Sequence, residues 1–451
     1  MNPFFVLTLL LLLMNCSPKA FKAVSGTKQP TQETTSPTVV MPQTAINLQQ
    51  DSVKGIEQGL SEESLLIQQL QNESVKEAVS PFGTTIIAAA ERTTNYLPLL
   101  ENKRVAIVAN QTSLVRGTHL ADTLLGLGVS VKKVFAPEHG FRGEADAGTY
   151  VQNGKDVKSG LTVISLYGKN KKPAAADLND VDIVLFDIQD VGARFYTYIS
   201  TLHYVMEACA EQKKSLIVLD RPNPNGHYVD GPILEPAFTS FVGMHPIPIV
   251  HGLTVGELAM MINGEGWLPN GSSCDLTIVP CEGYSHRKFY ELPIKPSPNL
   301  PNTRAIYLYP SLCLFEGTQV SVGRGTDKQF QVIGSPKHSY SFTFTPESKP
   351  GATNPPFLKQ PCKGFDLSNL PIEELRQMRR LDLSWLIKLY KDYPEKENFF
   401  VPFFDKLAGN SVLQQQIKQG LTENQIRQTW QTGLNDFINK RKQYLLYEDV
   451  E

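Results

Sequence analysis

The chain has 451 residues, enough for two domains, and its 41% hydrophobic and 20% charged content supports a sizeable core and excludes wholesale disorder. With 43 basic against 45 acidic residues the net charge is −2, so the overall balance gives no reason to expect a nucleic-acid partner. Six cysteines are too few for a disulfide-stapled scaffold, and no apolar run reaches the roughly 18 residues of a bilayer span.

Phe4–Met14 is apolar except for Thr8, too short for a span and suited to a signal-peptide core. It leads into Leu13-Met14-Asn15-Cys16, which resembles a bacterial lipoprotein box with Cys16 as the lipidated residue. The plainer reading is a cleaved secretory peptide; both readings export the chain. The expectation is therefore a signal over residues 1–16 and a lipid anchor as the membrane attachment, in the periplasm or outer membrane of a Gram-negative bacterium. Residues 17–80 read as a disordered tether rich in Thr, Gln, Ser, Pro and Lys, with one amphipathic helix possible over Ser61–Val79.

From Lys103 the pattern changes to short apolar runs alternating with helical stretches. The predicted strands are Val105–Ala109, Val131–Phe135, Leu161–Leu166, Ile183–Phe186 and Leu216–Leu219, and Tyr196–Lys213 is the clearest helix. Repeated β-α units predict a parallel sheet covered on both faces, hence an α/β, Rossmann-like domain over residues 81–235. Ligands of such sheets sit at the carboxyl ends of the strands. Those ends carry Asn110-Gln111-Thr112-Ser113, Pro137-Glu138-His139-Gly140-Phe141-Arg142, Tyr167-Gly168, Asp187-Ile188-Gln189-Asp190 and Asp220-Arg221-Pro222-Asn223. A polar residue at one strand end is ordinary loop composition; polar residues at all of them suggest a built site.

Residues 236–451 read as a second, smaller α+β domain that closes a cleft over the first. Thr254 caps a short helix to Ile262, Cys274–Val279 and Ser339–Phe344 are strand candidates, and Pro371–Lys391 and Thr422–Tyr447 are helix candidates. Glu316 and the Gly323-Arg324-Gly325 turn are its polar clusters. Cys274 and Cys281 on one extended strand lie roughly 23 Å apart, out of disulfide reach, and Cys209 falls on the apolar face of its helix.

The sequence has no G-x-G-x-x-G after the first strand, no Walker A loop, no G-x-S-x-G elbow and no H-E-x-x-H helix. His139 alone sits among carboxylates, which makes neither a metal site nor a cofactor site. Glu138, Asp187 and Asp190, with arginine and aromatic neighbours, suit acid–base hydrolysis of a glycosidic bond. A metal-assisted hydrolase using His139, Asp187 and Asp190, an amidase, an exo-glycosidase of altered specificity, and a non-catalytic sugar- or peptidoglycan-binding lipoprotein remain open from the residues alone.

Several blocks carry a resemblance. They are residues 108–113 (Val-Ala-Asn-Gln-Thr-Ser), 135–143 (Phe-Ala-Pro-Glu-His-Gly-Phe-Arg-Gly), 187–198, 220–224, Gly231-Pro232 and 309–318. Together they resemble the exo-β-N-acetylmuramidase family of the NamZ type over roughly residues 85–450. The resemblance implies a Rossmann-like domain joined to a smaller C-terminal one, with the active site in the cleft between them. It also implies removal of N-acetylmuramic acid from the non-reducing end of peptidoglycan fragments such as MurNAc-GlcNAc saccharides. Glu138 is then the favoured catalytic residue, with His139 beside it. Asp187 or Asp190 is the second group, unless the sugar's own 2-acetamido group attacks and the aspartate orients it. Expected in substrate binding are Asn110, Gln111, Arg142, Tyr167, Gln189, Arg194, Tyr196, Arg221, Asn223, Glu316 and Arg324. Arg142 and Arg194 are the preferred partners of the lactyl carboxylate, because a guanidinium holds a carboxylate bidentately.

Overall fold

The computed structural model describes residues 85–142 and 153–450, together with the backbone of Thr38–Val39. Cys16, the rest of the export signal and the expected Ser61–Val79 helix lie outside the described residues. In chain order the first strands are β1 (Thr38–Val39), β2 (Arg104–Ala109), the small hairpin β3 (Leu114–Val115) and β4 (Thr118–His119), β5 (Ser130–Ala136) and β6 (Gly154–Lys155). They continue with β7 (Thr162–Ser165), β8 (Ile183–Asp187), β9 (Ser215–Leu219) and β10 (Asp275–Val279). Among the described residues the main sheet runs β1-β10-β9-β8-β2-β5-β7-β6, parallel throughout except for the β6–β7 edge pair.

Both faces of this sheet are covered, and β2 shows why its sequence reads as an unbroken apolar run. Val105, Ile107 and Ala109 pack in one core with Tyr96, Leu120 and Leu124, while Ala106 and Val108 pack in the other with the helix Tyr198–Gln212. β8 and β9 divide in the same way, Ile183, Leu185 and Ile217 to one side and Val184, Phe186 and Val218 to the other. All five predicted strands are present, with ends moved by a residue or so.

The chain winds outward from β2 through β5 to β7, then returns and winds the other way through β8, β9 and β10. The order therefore reverses between β2 and β8, the kind of position beside which sheets of this class commonly bind ligands. β10, read from the sequence as lying beyond residue 235 in a second domain, pairs in register with β9 and extends this sheet. The helix before it, Val255–Gly264, begins as expected: Thr254 Oγ1 accepts from Glu257 N at 3.2 Å, and Glu257 Oε2 accepts from Thr254 N at 2.8 Å.

A smaller antiparallel sheet follows, β11 (Val332–Ser335), β13 (Cys362–Asp366) and β12 (Phe342–Phe344), in that spatial order. Only the last three residues of the predicted Ser339–Phe344 strand are in it. Its other strands escaped the sequence reading because glycine interrupts both. Gly364 has no alternative there, since a Cβ would lie 1.8 Å from the Ile333 carbonyl oxygen. The predicted helix Pro371–Lys391 is two helices, Ile372–Met378 and Ser384–Asp392, broken where Arg379 turns to φ 49°. The last long helix, Glu423–Arg441, starts at a Thr422–Gln425 capping box and ends before the predicted Tyr447.

Candidate active site

The loop after β5 sets the site. Gly140 N donates to Pro137 O at 3.0 Å, closing a turn with His139 at φ 69° and Gly140 at φ 79°. A left-handed histidine is strained unless its surroundings hold it, a condition that concentrates at functional positions. The turn leaves Glu138 half-buried and directs it into a cavity of about 170 Å³. Thr197 Oγ1 donates to Glu138 Oε2 at 3.0 Å, and the Tyr167 hydroxyl bonds the same carboxyl. Burial, reinforced by the Glu138 charge, raises the Tyr167 phenol above its ordinary range, so that hydroxyl stays protonated and donates.

The rest of the wall comes from His139, from Phe195 to Tyr198 at the start of the long helix, from Phe241 and Val242, and from Ser297, Asn299 and Leu300. Tyr309, Cys313, Glu316, Arg324, Phe330, Phe403 and Leu407 complete it. Arg324 Nε donates to Glu316 Oε1 at 2.5 Å, and its guanidinium lies 5.2 Å from the Phe330 ring centroid. Past Glu138, Tyr167, Glu316, Arg324 and Phe403, which line both spaces, the cavity continues into a groove of about 530 Å³. The groove is walled by Thr318, Val320, Val322 and residues 351–356.

Six residues named from the sequence meet in this cavity: Glu138, His139, Tyr167, Tyr196, Glu316 and Arg324. The others do different work. Gln111 Nε2 and the Tyr196 hydroxyl both donate to Pro296 O, at 3.0 and 2.8 Å, and so hold the loop that brings Ser297 and Asn299 to the wall. Asn110 Oδ1 closes a turn onto Thr112 N at 2.9 Å. Gln189 Nε2 reaches Pro222 O at 2.7 Å, and Asn223 Nδ2 reaches Leu253 O at 2.9 Å, tying neighbouring strand-end loops together.

The structure places the expected arginine pair away from the cavity. Arg142 Nη2 and Nε grip Asp156 at 2.7 and 3.1 Å, with Asp122 3.5 Å away, and Arg142 does not line the cavity. Arg194 is fully buried and donates to the carbonyls of Pro232, Ile247, Leu407 and Ala408, all within 3.1 Å. Arg221 is engaged with Asp187, Nε to Oδ1 at 2.6 Å and Nη2 to Oδ2 at 2.9 Å, inside the core. Of the four candidate arginines only Arg324 faces the cavity.

The two aspartates also lie away from the cavity. Asp187 is consumed by its bidentate pair with Arg221, and neither aspartate lines the cavity. Asp190 is wholly buried; its Oδ2 accepts from Gly192 N at 2.6 Å, its Oδ1 has no hydrogen-bond partner, and His251 Nε2 stands 3.8 Å from Oδ2. Burial pushes the Asp190 carboxyl up to about 7. A raised folded-state value means that stability is full below the unfolded carboxyl's value near 4 and is lost as pH rises toward about 7. Asp190→Asn is thus expected to be more stable than the wild type at pH 8, by roughly 2–4 kcal/mol, and to show little gain at pH 4. Urea midpoints for both proteins at the two pH values check this; an equal shift at both would assign the effect to packing rather than to the charge.

The sequence reading missed Thr197 and Tyr198, although both stand in one of its signature blocks. It placed the helix start at Tyr196, whereas the helix begins at Tyr198 and leaves Thr197 free to reach Glu138. Phe241, Ser297, Asn299, Phe330 and Phe403 come from segments with no periodic signal to mark them, and only folding brings them to the wall.

Two family models match the chain in succession: the N-terminal part of exo-beta-N-acetylmuramidase NamZ over residues 105–304 and the C-terminal part over residues 307–447. The chain is 38% identical over 373 residues to peptidoglycan beta-N-acetylmuramidase NamZ of Bacillus subtilis (strain 168), covering 78% of this chain and 89% of that one. The crystal structure of a DUF1343 family protein from Bacteroides fragilis superposes with a TM-score of 0.76 at 48% identity, covering 81% of this chain and 100% of the other. A second DUF1343 protein from the same organism gives 0.67 at 28% identity, over 80% and 99%. On this extent and identity, spanning the sheet and the cavity wall alike, the chain belongs to the exo-beta-N-acetylmuramidase NamZ family.

Proposed function

We propose that the protein is an exo-acting glycoside hydrolase that releases N-acetylmuramic acid from the non-reducing end of peptidoglycan-derived saccharides, in turnover and recycling of the cell wall. The observation that carries this reading is the position of Glu138, which lines both a small cavity and the wider groove continuous with it. A carboxyl at such a junction is where an exo-glycosidase needs its proton donor: the terminal sugar fills the cavity, the rest of the chain lies in the groove, and the scissile oxygen falls between them.

Glu138 then protonates the leaving oxygen while Thr197 and Tyr167 hold its carboxyl in place. Glu316 is the other carboxylate lining the cavity among the described residues, and it is tied to Arg324. This favours attack on the anomeric carbon by the sugar's own 2-acetamido oxygen over attack by an aspartate. Turnover of a chromogenic N-acetylmuramic acid glycoside, compared with the matching N-acetylglucosamine glycoside, tests the activity and its specificity together. No release from either would overturn it.

Arg324, which lines the cavity, then binds the lactyl carboxylate, the group that distinguishes the two sugars. Arg324→Ala is expected to raise KM for the muramic substrate roughly ten- to hundredfold, the range of one charge-assisted hydrogen-bond pair, and to affect the glucosamine analogue far less. Equal losses on both substrates would remove Arg324 from specificity and leave it as a support for Glu316.

A further inference from the structure

Phe403 stands at the same junction as Glu138. It is 42% exposed, and it is the only aromatic among the exposed large hydrophobic side chains of the described residues. It lines both the cavity and the groove. A large apolar ring left in water at the mouth of a polar site gains nothing for folding, yet its backbone is held with unusual thoroughness.

Phe403 opens the helix Phe403–Ala408, whose next residue, Phe404, is fully buried against Phe400 with ring centroids 4.6 Å apart. Val401 N donates to Gly317 O at 2.9 Å, and Gln319 N donates to Phe399 O at 2.9 Å. A Cβ on Gly317 would come within 2.3 Å of Phe404 Cα, so only glycine lets the two segments meet. At the other end of the helix, buried Arg194 grips the carbonyls of Leu407 and Ala408. Phe403 is thereby fixed relative to Glu316, one residue before Gly317, and to the Arg324 paired with it.

We infer that Phe403 is the platform on which the leaving-group sugar stacks, its ring facing the apolar C–H face of the pyranose next to the scissile bond. The inference rests on the hydrolase reading above and names a specificity residue on its leaving-group side. Preorganisation is the reason for the rigid backbone mounting: with the helix start already in position, only the ring's own side-chain torsions are left to order when the sugar binds. The groove beyond, with Val320, Val322, Pro355 and Pro356 in its wall, continues the apolar surface along the chain.

The test compares two substrates of the full-length enzyme: the MurNAc-GlcNAc disaccharide, which presents a sugar to Phe403, and the methyl glycoside of N-acetylmuramic acid, which presents one carbon. Phe403→Ala is expected to raise KM for the disaccharide about three- to tenfold, the range of one aromatic stacking contact, and the rise on the methyl glycoside should be several-fold smaller. The disaccharide kcat should fall far less than the KM rises, and Phe403→Trp should recover most of the affinity. A wild-type enzyme active on both substrates, with Phe403→Ala at normal KM on the disaccharide or equally impaired on the two, would overturn the platform while leaving the hydrolase intact. A wild type that cleaves neither would overturn the hydrolase reading and the platform with it.

Discussion

Replacing Glu138 by Gln is expected to lower kcat on the MurNAc-GlcNAc disaccharide by about 10²- to 10⁴-fold, the usual contribution of general acid–base assistance. The amide keeps the shape of the carboxyl and still accepts from Thr197, now 3.0 Å from Oε2, but has no proton to give an acid-requiring leaving group. An activated aryl glycoside needs less protonation and should be hurt much less. The difference between the two substrates identifies the proton donor; a uniform loss would point instead to a disturbed pocket. Stability should change by less than about 1 kcal/mol, because the group is half-buried and retains its hydrogen bonding. Near-normal turnover of the disaccharide would remove Glu138 from the mechanism.

Arg221→Ala should instead unfold the protein more readily. Arg221 and Asp187 form a bidentate pair with side-chain exposures of 4% and 0%, so removing one partner leaves an uncompensated charge in the core. Breaking such a pair costs about 3–5 kcal/mol. Asp187→Asn should also destabilise, and the double variant Asp187→Asn/Arg221→Ala should be less unstable than the sum of the two single changes, because the stranded charge is gone. Denaturant midpoints for the four proteins measure the coupling. The pair also separates two roles for Asp187. A structural aspartate predicts that kcat per folded Asp187→Asn molecule stays comparable to the wild type. A kcat loss of the size expected for Glu138→Gln, in a protein that remains folded, would return Asp187 to the reaction.

The strand-end loops show how far a residue pattern carries. Their polarity marks the carboxyl end of the sheet, where β2, β5 and β8 deliver Asn110, Glu138 and Asp190, and of these three only Glu138 lines the cavity. Polar side chains there have two uses, however, and sequence does not distinguish them. Buried strand-end loops expose carbonyls and amides that need partners. Asn110, Gln189, Asn223 and Arg194 spend their hydrogen bonds on that need. Glu138 and Tyr167 have the same composition class and face the cavity. Arg142 and Arg194 are engaged elsewhere for this reason: Asp156, fourteen residues further on, and the carbonyls of Leu407 and Ala408, more than two hundred further on, are invisible as partners until the chain folds.

The sequence by itself determined the parallel sheet, because strands buried on both faces must be continuously apolar and the crossovers between them must be long enough for helices. It determined the family through blocks of residues in order, and it singled out Glu138 by the rigid Pro137 before it and the glycine after its neighbour. Only the tertiary structure decided which residues line the cavity. The order reversal between β2 and β8, the addition of β10 to the sheet, and the meeting of Phe195–Tyr198 with Glu316, Arg324 and Phe403 are contacts between segments far apart in the chain. Local propensity has no hold over such contacts; they are set by which apolar faces are left to bury and by where each buried charge finds its partner.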